Sequence, residues 1–150
     1  MIPSRRKIGL RDAAKAAGVS TATVSRAMNK PETVSEELRT RIASVIRNLG
    51  WVPNGTARAL ATKRTYTVGA IFPTRTHGDF SHAIQTLQHE LAVGGYTLLL
   101  ACSEYRLEQE PQQAQKLIER GVDALIPVGE NHHAELGALL RKNDASVTDR

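Results

Sequence analysis

Along the first fifty positions apolar residues recur at helical spacing, and further on they gather into short continuous runs. Leu10, Ala13, Ala14 and Ala17 fall on one face of a helix expected over 10–17. Val24, Ala27 and Met28 mark the buried side of a second helix, for which Ser20 is the expected N-cap. Its open side is then Thr21, Ala22, Thr23, Ser25 and Arg26. Between the two, Ala14 is small enough for close helix approach and Gly18 supplies the positive φ of a tight turn. With Val24 buried, these positions predict a helix-turn-helix. A third stripe, Leu38, Ile42, Val45, Ile46 and Leu49, predicts a helix begun by Ser35 or by a Thr33/Glu36 capping pair and ended by Gly50. Trp51 and Val52 are expected to fold back onto the resulting three-helix core.

Pro53-Asn54 opens a further helix start, but the following Gly-Thr-Ala-Arg-Ala-Leu-Ala, residues 55–61, has hardly any apolar face. So short a helix is not expected to hold on its own. Lys63-Arg64-Thr65 reads as a cationic linker, and beyond it the pattern becomes a β-α alternation. Strands are expected at 68–72, 96–102 and 122–128, with helices at 81–94, 107–120 and 134–142. That order predicts right-handed crossovers and a parallel sheet with helices on both faces. Ligand-lining loops are then expected at the strand C-terminal ends, above all 73–80.

Charge divides the chain at the same place. Residues 1–65 hold 13 Lys and Arg against four Asp and Glu, and the remainder seven against 11. A basic head on an ordinary acidic domain fits a nucleic-acid binder, whose affinity rests on releasing phosphate counterions. Residues 1–8, with Pro3 and three consecutive cations, suit a loose arm near a phosphate backbone. Small side chains let a helix enter the major groove, hydroxyls and a helix N-terminus suit phosphates, and Arg26 can pair bidentately with guanine. Ala22 can touch a thymine methyl. Cys102 is the single cysteine, so no intrachain disulfide and no thiolate metal cluster is expected. No apolar run is long enough for a transmembrane helix, and a cytoplasmic location is expected. His82 and His89 share helical spacing and His132-His133 are adjacent, but no carboxylate or thiolate set completes a metal site. No cofactor and no enzymatic activity are expected. No Gly-x-Gly-x-x-Gly or phosphate-loop motif follows the first strand.

Four motifs together, Ala-Gly-Val-Ser (17–20), Thr-Val-Ser-Arg (23–26), Val-Ser-Glu (34–36) and Pro-Asn…Ala-Arg-Ala-Leu (53–60), resemble the lactose-repressor (LacI) family of bacterial transcription regulators. The resemblance runs over nearly the whole chain. It implies an all-α helix-turn-helix head over 1–62, comprising three helices plus a hinge helix at about 54–61. A partial α/β parallel-sheet domain like a periplasmic binding protein would follow over 63–150. It implies base contacts by Thr21, Ala22 and Arg26 and backbone contacts by Ser20, Thr23, Ser25 and Asn29. Asn54, Ala57 and Leu60 would sit in the minor groove, with Leu60 as a wedge between base pairs. The implied partners are double-stranded DNA with a pseudo-palindromic operator, a second copy of the chain on that DNA, and a small-molecule effector touching Phe80 and Asp79; no membrane is involved. Gly78, Asp79 and Ser81 depart from the family's usual Asn-Pro-aromatic-aromatic surroundings, so the effector is not readable.

The expected function is sequence-specific repression of a carbohydrate or related catabolic operon. Because the sequence ends near where a fourth strand is expected, it reads as truncated within the first lobe, with effector response lost or incomplete. The competing readings are a truncated remnant that binds DNA weakly without preference, and a small-metabolite-binding α/β module.

Overall fold

The structure, a computed structural model, describes residues 7–74 and 78–143, except the Asp79 side chain, together with the backbone of 146–147. The chain divides into two compact units, Met1–Lys63 and Arg64–Arg150.

The first unit is helical. Helix α1 (Leu10–Ala17) ends at Gly18, whose φ of 68° is the left-handed turn that lets the Val19 N–H reach back to the Ala14 carbonyl. At its start the Asp12 carboxylate accepts the Gly9 N–H at 2.9 Å. Helix α2 (Thr21–Asn29) is capped by Ser20 Oγ, which accepts the Thr23 N–H at 3.1 Å. After a 3-10 turn at Pro31–Thr33, helix α3 (Glu36–Leu49) is capped by Ser35, which decides between the two start signals, and ends at Gly50 with φ 64°. Ala13, Ala14, Ala17, Val24 and Ile42 form the buried core, with Leu10, Met28, Leu38, Val45, Leu49 and Trp51 packed around it. Alanines on α1 let its backbone approach α2 and α3 closely. Full burial of Val24 or Ile42 is worth about 1.5–3 kcal/mol. A core this small leaves little stability in reserve.

Trp51 packs on this core as expected, but Val52 does not: it is 86% exposed. Residues 51–54 carry no helical structure, and consecutive side chains of extended backbone point to opposite sides. With the indole seated on the core, Val52 is turned outward. Helix α4 (Gly55–Thr62) follows, capped by Asn54 Oδ1 accepting the Thr56 N–H at 3.0 Å, and ends at Lys63 with φ 56°. It buries no residue.

The second unit is a parallel sheet in the order β2-β1-β3-β4, from β1 (Thr67–Phe72), β2 (Thr97–Cys102), β3 (Ala124–Pro127) and β4 (Ser146–Val147). Helices α5 (Gly78–Val93), α6 (Glu110–Glu119) and α7 (Ala134–Lys142) make the connections. Ile71 and Leu125 face α6 and α7, where Ala114, Leu117, Leu136 and Leu140 complete the core. Phe72, of opposite parity, meets Phe80 of α5 edge-on at 6.0 Å, so helices cover both faces. Gly69 lets Leu117 approach β1; an added Cβ would stand 3.0 Å from Leu117 Cδ1.

Three boundaries differ from the pattern by more than one residue. Helix α5 begins at Gly78 rather than 81. A 3-10 turn at Leu107–Gln109 precedes α6, because Pro111 has no N–H to give and suits the first turn of a helix. Strand β3 starts two residues late, the Asp123 N–H making the first bond to β1, at the Thr67 carbonyl, 2.8 Å away. The Val122 N–H bonds the Leu117 carbonyl, and the Asp123 carboxylate accepts the backbone N–H groups of Thr65 and Tyr66, each at 2.9 Å. Asp123 thereby fixes the entry into β1.

Candidate nucleic-acid interface

Helix α2 presents two sides. Val24 is sealed in the core, with Ala27 and Met28 half-buried beside it. Thr21, Ala22 and Arg26 are exposed, one helical turn apart in the case of Ala22 and Arg26. The exposed set carries no long apolar group, and Arg26 reaches outward with five donors in a planar fork. All three predicted base readers therefore stand on one accessible face.

The predicted backbone contacts behave differently. Ser20 is exposed, but its Oγ already accepts from the Thr23 N–H and lies 2.9 Å from Thr23 Oγ1. Thr23 is half-buried. Those two hydroxyls make a linked pair at the positive end of the α2 dipole, where an anion is favoured. Ser25 and Asn29, four apart and both half-buried, form a second pair: Asn29 Nδ2 donates to Ser25 Oγ at 3.3 Å. Asn29 Oδ1 is buried and has no hydrogen-bond partner.

Helix α4 borders this side of the first unit. A cavity of about 260 Å³ lies between α2, Trp51 and α4, with Ser25, Met28 and Asn29 on one wall and Asn54, Ala57 and Ala61 on the other. Of the three predicted hinge positions, Asn54 acts as the helix cap, Ala57 lines this cavity, and Leu60 stands 81% exposed. A leucine so exposed on a helix without a core contributes little to folding.

The second unit carries a separate feature. A cavity of about 580 Å³ opens at the C-terminal ends of the strands, lined by Phe80, Ser103, Tyr105, Glu110 and the 128–131 loop. This is where open parallel sheets bind ligands. Phe80 lies in its wall; the side chain of Asp79 and residues 75–77 of the predicted lining loop lie outside the described residues. Glu110 is 3% exposed, yet both carboxylate oxygens are engaged, one with His132 Nδ1 at 2.9 Å and one accepting the His133 N–H at 2.7 Å. Ser103, Tyr105 and Glu110 escape a sequence reading because they follow β2 by position alone. Counting residues past each strand end is the signal that finds them. Among the described residues no three His, Cys, Asp or Glu side chains gather as metal ligands. No helix among them is long and apolar enough to cross a membrane.

Residues 9–54 match the family model described as bacterial regulatory proteins, lacI family. The chain is 30% identical over 135 residues to the HTH-type transcriptional regulator RegA of Clostridium saccharobutylicum, covering 90% of this chain and 41% of that protein. It is 35% identical over 122 residues to the sucrose operon repressor of Streptococcus mutans, covering 81% and 38%. A crystal structure of a Lacl-family transcriptional regulator from Silicibacter pomeroyi superposes with a TM-score of 0.77 at 27% identity, over 95% of this chain and 43% of that one. The chain thus spans about two fifths of the length of the relatives it matches.

Proposed function

We propose that this chain, whose residues 9–54 match the lacI family of bacterial regulatory proteins, binds duplex DNA sequence-specifically to regulate transcription. The observation that carries this reading is the face of α2: Thr21, Ala22 and Arg26 exposed together on a helix whose opposite side is locked into the core by Val24. In the major groove Arg26 would pair with a guanine and Ala22 would pack on a thymine methyl. Ser20, Thr23, Ser25 and Asn29 would serve the sugar-phosphate backbone. Asn54, Ala57 and Leu60 would serve the minor groove, where Leu60 inserts between base pairs as an apolar wedge.

One recognition helix covers only a half-site, so the chain would act as a homodimer on a roughly palindromic operator. The head would be 1–62 and the effector-binding part 63–150, with a small molecule entering the cavity beside Phe80. Similarity to a sucrose operon repressor supports repression of a carbohydrate operon. The relatives are regulators, which supports a binding rather than a catalytic role, exercised in the cytoplasm where DNA is met.

The test is selection from a randomised duplex pool by the full chain. Enrichment of an inverted repeat is the expected result. A pool that stays random after repeated rounds, with the protein folded and bound to DNA throughout, would favour a weak non-specific binder instead.

A further inference from the structure

The pair Ser25–Asn29 has an unbalanced hydrogen-bond account. Asn29 Nδ2 donates to Ser25 Oγ at 3.3 Å, while Asn29 Oδ1 is buried without a partner. Turning the amide over would let Ser25 donate to Oδ1 but would strand the two N–H groups of Nδ2 instead. Orphaned buried donors are rarer and costlier than an under-satisfied carbonyl oxygen, so the present orientation is preferred. A serine hydroxyl has one proton and two lone pairs, and here Asn29 takes a lone pair. In helices that proton commonly goes back to the carbonyl four residues earlier, as Thr62 Oγ1 does to the Arg58 carbonyl at 2.9 Å. Ser25 forms no such bond to Thr21.

We infer that Asn29 is a positioning residue: its inward-turned amide fixes Ser25 as an acceptor toward the protein and so commits the Ser25 O–H to donate outward, to a DNA phosphate oxygen. A phosphate oxygen accepts and cannot donate, so only this polarity of the hydroxyl forms a contact. Asn29 therefore contributes to backbone affinity through Ser25. This inference rests on the proposed DNA-binding reading and on Ser25 standing at the backbone.

The decisive substitution is Asn29→Asp, nearly isosteric but with an acceptor-only carboxylate when ionised. It would draw the Ser25 proton inward and remove the outward donor. A double-mutant cycle uses the full chain, the variants Ser25→Ala, Asn29→Asp and their combination, and the duplex selected by the wild type. Dissociation constants are compared at one salt concentration. Ser25→Ala is expected to weaken binding about tenfold, the scale of one hydrogen bond to a charged group. Asn29→Asp should cost at least as much alone but about threefold or more less in the Ser25→Ala background, where only added negative charge remains. A coupling of less than threefold between the two losses would overturn the inference. So would a Ser25→Ala protein that binds as the wild type does, while the wild type's own binding would leave the functional reading intact. A wild type that binds no duplex would remove both. Should Asn29→Asp melt early, Asn29→Ala takes its place: its smaller loss is expected to vanish in the Ser25→Ala background, and persistence there would overturn the inference.

Discussion

Arg26 and Gly18 illustrate two ways a single residue matters in the head. Arg26 is exposed and supports no packing, so Arg26→Ala should leave thermal stability unchanged. In binding it should reduce discrimination by about 1–3 kcal/mol at one base pair of each half-site, measured as a flattened preference at that position in a mismatch series. Uniform weakening on every duplex would assign Arg26 to the backbone instead. Gly18 touches no DNA in this account. An added Cβ there meets nothing within 4 Å, but its φ of 68° strains any L side chain. Gly18→Ala should therefore lower the stability of the head by about 1–2 kcal/mol in thermal unfolding, with base preference retained in the folded fraction.

At the level of elements, α4 is the informative case. It is capped by Asn54 and buries no residue, while Leu60 projects outward. Leu60→Ala should thus be nearly neutral for folding and damaging for binding, with a smaller DNA bend measured by gel phasing or energy transfer. A stability loss with unchanged bending would count against the wedge. The three helices of the head were legible because each carries both an apolar stripe and a terminal signal: Ser20 and Ser35 at the starts, Gly18 and Gly50 at the ends. The sheet was legible through the alternation of apolar runs with helical stripes. What the pattern missed are features set by neighbours. Val52 was expected inside and is outside, with Trp51 seated on the core. The strand at 122–128 shrank to Ala124–Pro127, the Val122 N–H being taken by the Leu117 carbonyl, while the Asp123 carboxylate serves the backbone of Thr65 and Tyr66, 58 and 57 residues away in sequence. The cavity lining was half legible: Phe80 could be placed, whereas Ser103 and Glu110 are brought to it by the parallel topology. On α2 the exposed face was readable from spacing. The Ser25–Asn29 bond was not, since spacing shows that two polar side chains can meet and leaves open which donates.

For the whole molecule, the concentration of Lys and Arg in residues 1–65 makes a further demand. If that excess serves phosphate contacts, the logarithm of affinity should fall linearly with the logarithm of salt concentration, with a slope of about −0.9 per phosphate neutralised. A shallow slope would mean that the cations are a solvated surface. Salt dependence alone does not separate a reader of sequence from a basic protein that merely sticks to DNA. The central claim is that α2 reads bases, and its most direct measurement compares affinity for the selected duplex with affinity for a scrambled duplex of the same composition, at one salt concentration, for the wild type and Arg26→Ala. The account predicts a wild-type preference of about a thousandfold or more, reduced by roughly tenfold or more in the variant. Equal affinity of the folded wild-type chain for both duplexes would contradict it.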